Sequence, residues 1–238
     1  MNFNLENIDM DNVEKYVYKI VKTLMVFILF FNIYIVQFIP LVIFDIPIQN
    51  IGGEMNVILT SFSSAVLLLI LFLIYRKELV SEWEIFKKNI MKNIDDGVSY
   101  WVIGLLIMLV SNIIINNVFN GGQAGNEKTV QSMIDTLPWL MVISAGFLAP
   151  FTEELVFRKS LKDVIKDKYL YIAVSFILFG LCHVLGNTNN LVDWLYVIPY
   201  GALGASFAAA YYKTNTVFVP IAMHMFHNTL ITIISILL

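Results

Sequence analysis

The stretch APFTEELVFRKSL, residues 149–161, places two adjacent glutamates, Glu153 and Glu154, at the end of an apolar run that begins near residue 137. A helix needs roughly 20 mostly apolar residues to cross the hydrocarbon of a bilayer, and this run is long enough. The whole chain has the same character, since 58% of its 238 residues are apolar, 14% are charged and the mean hydropathy is +0.76. The sequence therefore predicts an integral membrane protein, and its charge distribution does not suggest binding to nucleic acid.

Seven segments are long and apolar enough to be spans, which predicts an all-α integral membrane protein, a polytopic bundle of about seven (seven or eight) transmembrane helices. They lie near residues 17–39, 55–75, 98–119, 137–157, 170–187, 192–212 and 216–237. No repeat or second domain is visible, so residues 1–238 are interpreted as a single membrane domain. The acidic N-terminal sequence, residues 1–16, lacks the basic region of a signal peptide, so we expect the first span to remain in the mature protein.

Basic residues are strongly segregated along the chain. Fourteen of the fifteen fall on one side of a seven-span bundle, and the other side receives only Lys128. Short cytoplasmic loops collect Lys and Arg, so the pattern predicts a multi-pass protein of the cell membrane with a cytoplasmic N-terminus and an outer C-terminus. Abundant Ile, Asn and Lys point to a bacterial source.

Residues 78–96 lie between the second and third spans and have the pattern of an amphipathic helix. Leu79, Trp83, Phe86 and Ile90 recur every three or four residues, with lysines on the opposite side. This pattern predicts a cytoplasmic interfacial helix in the headgroup plane, and the alternative is an ordinary soluble connector.

The two glutamates of the opening stretch are expected to have different roles. Glu154 and Arg158 are four residues apart and share a helix face, so they are predicted to pair. Glu153 is turned by about 100° and is predicted to face a polar cavity as a general base. Pro150 removes a backbone hydrogen bond and is expected to disturb the helix. The alternative is that both glutamates simply begin the cytoplasmic loop.

All three histidines of the chain fall inside predicted spans, where ionisable groups are costly and are functional candidates by default. His183 shares a helix face with Phe179, and His224 shares one with Asn228. His227 is offset from His224 by about 60° and either flanks the same site or faces another helix. We expect the histidines and Glu153 to meet in the cytoplasmic half of the membrane.

These residues resemble the CAAX protease and bacteriocin-processing (CPBP) family of intramembrane proteases, also called the Abi family. Its motifs EExxxR, FxxxH and HxxxN match Glu153-Glu154 with Arg158, Phe179 with His183, and His224 with Asn228. The match covers about residues 137–232, which are interpreted as the catalytic core. Family members of solved architecture have eight spans, whereas seven are counted here.

The resemblance implies an endopeptidase whose cavity opens to the cytoplasmic side. Its expected substrate is a membrane-associated peptide or protein, such as a pheromone, bacteriocin or leader peptide precursor. It implies that Glu153 and His183 bind and activate the attacking water, and that His224 and Asn228 stabilise the oxyanion. We expect supporting roles for Glu154, Arg158, Phe179 and His227.

Two questions stay open at this point. Family proteins are commonly labelled metalloproteases, and Glu153, His183 and His224 can ligate a divalent metal such as zinc, yet a carboxylate-bound water with His and Asn donors needs no metal. A non-proteolytic scaffold, immunity protein or sensor-kinase regulator is the alternative function. A proton-coupled transporter ranks last, because the inverted repeats expected of one are missing.

Overall fold

The structure is a computed structural model that describes residues 10–48 and 51–238. Residues 1–9, part of the segment interpreted as lacking a signal peptide, lie outside the described residues. The described chain consists of helices joined by short loops and contains no strand. Its helices are α1 (Met10–Asn32), α2 (Phe38–Ile43), α3 (Gly53–Lys88), α4 (Ile90–Val118), α5 (Gly125–Thr136), α6 (Pro138–Ile143), α7 (Ala149–Glu154), α8 (Ser160–Val164), α9 (Lys168–Val184), α10 (Val197–Thr214) and α11 (Phe218–Leu237). Short 3-10 segments at Ile33–Gln37 and Val192–Tyr196 precede α2 and α10, and π-helical turns join α6, α7 and α8.

Five helical stretches of the described chain are long and apolar enough to cross a membrane. They are Asp11–Ile43, Gly53–Lys88, Ile90–Val118, Pro138–Val164 and Phe218–Leu237. The predicted spans at 170–187 and 192–212 correspond to α9, which is shorter, and to α10, which carries Tyr, Gly, Ser and Lys among its apolar residues. The predicted all-α membrane bundle is confirmed.

The helices meet at two opposite ends of the bundle. At one end, Lys22 of α1 lies 2.9 Å from Glu78 of α3 and 3.3 Å from Asp163 of α8. We call this the basic end, because the helix termini that meet there carry most of the Lys and Arg residues of the chain. At the other end, Gly53 of α3 approaches Thr136 of α5. We call this the α5 end.

Helix α10 lies in the middle of the bundle and packs closely on α9 and α4. A Cβ atom at Gly180 of α9 would collide with the backbone carbonyl of Val197, and one at Gly204 of α10 would press on Phe179. Only glycine lets two helix backbones come so near. The contacts at Gly180 and Gly204 also fix the position of Phe179 and the orientation of the α9 face that carries His183.

Residues 78–96, predicted to form an interfacial helix, do not form a separate helix. Helix α3 continues unbroken to Lys88, and α4 begins at Ile90 after a break at Asn89. No proline interrupts α3, and its last turns are anchored from the side, where Glu82 accepts hydrogen bonds from the Tyr211 hydroxyl and the Val217 backbone N–H, each at 2.7 Å. Within this segment Leu79 is buried, whereas Trp83 and Ile90 each remain 43% exposed.

Candidate active site

The helix carrying the two glutamates is irregular around Pro150. A proline has no N–H to bond the carbonyl four residues earlier, here that of Gly146, and a π-helical turn, Ser144–Leu148, lies directly before α7. Side chains of α11 supply donors to carbonyls of this turn. Asn228 donates to Ala145 O at 3.0 Å and Thr229 donates to Gly146 O at 3.4 Å. The disturbed turn therefore joins α6 and α7 to α11 and fixes the position of Asn228.

Glu154 and Arg158 form the buried charge pair that the spacing predicts. Arg158 Nε lies 3.2 Å from Glu154 Oε2, and both side chains are fully buried. The other carboxylate oxygen, Oε1, lies 2.8 Å from His224 Nδ1. The guanidinium lies against the Phe179 ring, with 4.1 Å between Cζ and the ring centroid. Glu154 thus links Arg158 to His224, and Phe179 covers the arginine by a cation–π contact.

His183 is oriented by its own helix and by one neighbour. Its Nδ1 lies 2.9 Å from Phe179 O, and a carbonyl oxygen only accepts, so Nδ1 carries the proton of this bond. The ring stacks on Tyr200 of α10 with centroids 4.7 Å apart. In the neutral imidazole, Nε2 is then left as an acceptor.

Glu153 lies where the two histidines converge. Its Oε2 is 4.0 Å from His183 Nε2 and 3.8 Å from His224 Nε2. This oxygen is buried and has no hydrogen-bond partner among the described residues. An unpartnered buried carboxylate oxygen is costly, so the space between these three atoms suits a group that donates hydrogen bonds.

The site faces a cavity of about 290 Å³. Glu153, His183, His224, His227 and Asn228 all line it, so the structure brings every predicted catalytic side chain to one place. His227 receives a hydrogen bond at Nδ1 from Trp101 Nε1, at 3.3 Å, and flanks the others.

The cavity lies toward the α5 end of the bundle, so the expectation that it opens at the basic end is wrong. Its walls include Asn126 and Glu127 of α5, and His183 lies at the α5 end of α9, one residue before that helix stops. On the basic side of Glu153, Leu155, Val156 and Phe157 are buried. The prediction failed because α9 runs from the basic end and reaches the site only with its last turn.

Residues 135–230 match the family described as Type II CAAX prenyl endopeptidase Rce1-like. Over 118 residues the chain is 28% identical to "Putative membrane peptidase YdiL" of Bacillus subtilis, covering 48% of this chain and 45% of that protein. Over 143 residues it is 26% identical to "Membrane-embedded CAAX protease MroQ" of Staphylococcus aureus, covering 56% and 54%. Over these residues the chain is similar to the CPBP family, as the motifs EExxxR, FxxxH and HxxxN indicate.

A third relative is the "UPF0177 protein YxdF" of Lactococcus lactis, 27% identical over 154 residues, covering 62% of this chain and 81% of that protein. The chain spans about half the length of the Bacillus and Staphylococcus proteins that it matches. All three relatives are bacterial, which supports the bacterial source predicted from composition. No solved structure matches the chain.

The spacing of the CPBP motif residues tests whether they fit zinc. Two ligands of a tetrahedral zinc ion, each roughly 2.0–2.2 Å from the metal, lie about 3.4 Å apart. The Glu153 oxygen lies 3.8 and 4.0 Å from the two imidazole nitrogens, and in the described part of the chain no three His, Cys, Asp or Glu are arranged to hold a metal. One water at about 2.8 Å from the carboxylate and an imidazole fits this spacing. The residues as placed fit a bound water better than zinc.

Several side chains around the CPBP motifs were not singled out from the sequence as parts of the site. Trp101 and Tyr200 orient two of the histidines, and aromatic residues inside apolar spans carry no signal of such a role. Glu127 lines the cavity from α5. Burial raises the pKa of the Glu127 carboxyl, and a hydrogen bond from the Ala124 backbone opposes the shift. Glu127 was not identified from the sequence because helix α5 was not predicted and the segment was interpreted as a polar loop.

Proposed function

We propose that this chain is an intramembrane endopeptidase that hydrolyses a peptide bond of a membrane-associated peptide or protein with a water activated by Glu153 and His183. The observation that carries the proposal is the buried, unpartnered Oε2 of Glu153, which faces Nε2 of two imidazoles at 3.8 and 4.0 Å. A water there donates one hydrogen bond to the carboxylate and one to His183.

The reaction is a general-base hydrolysis. As the water oxygen forms its bond to the scissile carbonyl carbon, Glu153 accepts the water proton and the carbonyl electrons move to the oxygen. The tetrahedral intermediate collapses when the carbon–nitrogen bond breaks, and Glu153 returns the proton to the leaving amine. One water is consumed, and a carboxylic acid and an amine are produced.

The oxyanion of the intermediate is stabilised by His224 and Asn228. His224 donates Nδ1–H to the Glu154 carboxylate at 2.8 Å, and this bond turns Nε2 toward the reacting group, where an Nε2–H donates to the oxyanion. His183 bonds a neutral carbonyl instead and stays an acceptor. Glu154 and Arg158 act as positioning residues, because they reach the substrate only through His224.

Comparative peptidomics of membranes tests the proposal. Cells expressing the wild-type chain are compared with cells expressing Glu153→Gln and with cells expressing Glu54→Gln, a matched control at an exposed glutamate. We expect at least one peptide that is present with the wild type and the control and absent with Glu153→Gln. Near-normal product from Glu153→Gln at equal protein level contradicts the proposed base.

Experiments on the same membranes and strains distinguish this reaction from a metal-dependent one and from a non-proteolytic role. Incubation of isolated membranes with a metal chelator is expected to leave product formation unchanged, and loss of product that returns with added zinc contradicts the metal-free reaction. A non-proteolytic scaffold or immunity role predicts that Glu153→Gln complements a deletion strain and that no peptide depends on the carboxylate.

A further inference from the structure

The walls of the cavity come from one half of the bundle. Helix α4 starts at the basic end, and Asn112 lies in its second half, nearer the α5 end. Asn126 and Glu127 belong to α5 itself. Tyr200 lies in the first turn of α10, which starts at the α5 end, and Thr232 lies in the last turns of α11. Each of these positions is on the α5 side of its helix.

The opposite side of the site is closed by packed charges and apolar residues. Below Glu153, the Glu154–Arg158 pair is fully buried. One residue further, Lys159 is 4% exposed and pairs with Asp163 at 2.7 Å and with Glu82 at 3.6 Å. Paired charges held at this burial are costly to separate, so this layer is a poor route for a peptide.

The charges of the loops orient the bundle in the membrane. Fourteen of the fifteen Lys and Arg residues belong to the basic end or to the helix termini that meet there, and the α5 end holds only Lys128. The loops at the basic end are short, residues 165–167 and 215–217, and these are the loops to which the positive-inside rule applies. The basic end is therefore assigned to the cytoplasm.

We propose that the site receives its substrate from the extracytoplasmic side of the membrane, past α5. This inference rests on the proposed function for the reaction itself and adds the class of substrate. The substrate is a peptide or protein whose cleaved segment lies at the outer half of the bilayer. The segment reaches that position either because it has been translocated or because the substrate is anchored there. Helix α5 packs Ile134 against Val57 and Met141 and turns Asn126 and Glu127 to the cavity, so it forms the rim past which this segment enters.

Cysteine labelling tests the sidedness without requiring proteolysis. Cys182 is the single cysteine of the chain and is replaced by Ala. Into this background we place Lys128→Cys, exposed on α5, or Lys166→Cys, exposed at the basic end. With a membrane-impermeant maleimide on intact cells, we expect Lys128→Cys to be modified and Lys166→Cys to be modified only after permeabilisation. The reverse pattern overturns the proposal, whatever the outcome of the peptidomics.

A second arm tests the entry route. In the same background, Asn126→Cys places a thiol on the cavity wall. Treating intact cells with a bulky impermeant maleimide is expected to lower product formation at least tenfold in Asn126→Cys and to leave it unchanged in Lys128→Cys. Unchanged product after complete labelling of Asn126→Cys shows that the substrate enters elsewhere and overturns the route.

Discussion

At the scale of single residues, two chemically identical neighbours have opposite environments. Glu154 is fully buried and contacts both Arg158 and His224. Glu153 keeps 16% of its side chain exposed, and its Oε2 has no hydrogen-bond partner in the described part of the chain. The cause is the rotation of about 100° between consecutive helical residues, which sends one carboxylate into the bundle and the other to the cavity.

This difference predicts opposite effects on stability. Glu154→Gln leaves the buried Arg158 without a counter-charge and is expected to cost about 3–5 kcal/mol. Glu153→Gln removes an unpartnered buried charge and is expected not to lower stability, while abolishing cleavage. Thermal unfolding of the purified proteins measures both, with a fall of about 6–20 °C expected for Glu154→Gln. Equal losses in the two variants contradict the assigned roles.

At the scale of elements, the position of His183 depends on how α9 meets α10. The two helices touch along Gly180 and Gly204, and this contact sets Phe179 over Arg158 and stacks His183 on Tyr200. The irregular turn at Pro150 acts similarly on the other side, because its carbonyls bind Asn228 and Thr229. Helix irregularity and close packing both serve to aim side chains at the cavity.

Gly180→Ala tests this packing. The added Cβ meets the backbone carbonyl of Val197 and the backbone N of Gly201, which cannot rotate away. We expect a loss of about 1–3 kcal/mol and weaker cleavage, since α9 must move outward. Gly122→Ala is the control, because no atom lies within 4 Å of the Cβ it would add. Similar melting temperatures for both variants contradict the close contact.

At the scale of the whole molecule, a network of charged side chains joins the helices at the basic end. Lys22 of α1, Glu78 and Glu82 of α3, Lys159, and Asp163 of α8 are joined by ion pairs of 2.7–3.6 Å. Glu82 also accepts hydrogen bonds from α10 and from the start of α11. The network therefore fixes the relative positions of the helices at the basic end. The cavity lies toward the opposite, α5 end.

Glu82→Gln tests this role. An amide offers one acceptor oxygen, so either the Tyr211 hydroxyl or the Val217 N–H loses its partner, at an expected cost of about 1–3 kcal/mol. Glu84→Gln is the matched control two residues away, because Glu84 is 57% exposed and pairs with the exposed Lys87. Denaturant or thermal unfolding distinguishes them, and an unchanged Glu82→Gln contradicts the network as a stabilising tie.

The parts of the site that were predictable from the sequence are those within one helix. The Glu154–Arg158 pair follows from a spacing of four residues, and so does the bond from His183 Nδ1 to Phe179 O. The bond between Glu154 and His224 joins residues 70 apart and has no local signal. The extension of α3 to Lys88 was missed for the same reason, since its anchors, Tyr211 and Val217, are distant in the chain.

The sequence by itself determined that the chain is a helical membrane protein, which ends of its helices are basic, and which carboxylate shares a face with Arg158. These properties depend on hydrophobicity, charge and helical periodicity, all of which act over short distances along the chain. Three features depend on the tertiary structure: Glu154 contacts His224, the cavity lies toward α5, and Glu153 Oε2 and two imidazole nitrogens surround one small space. Those features depend on how helices distant in sequence pack, and packing is set by side-chain shape and burial across the bundle.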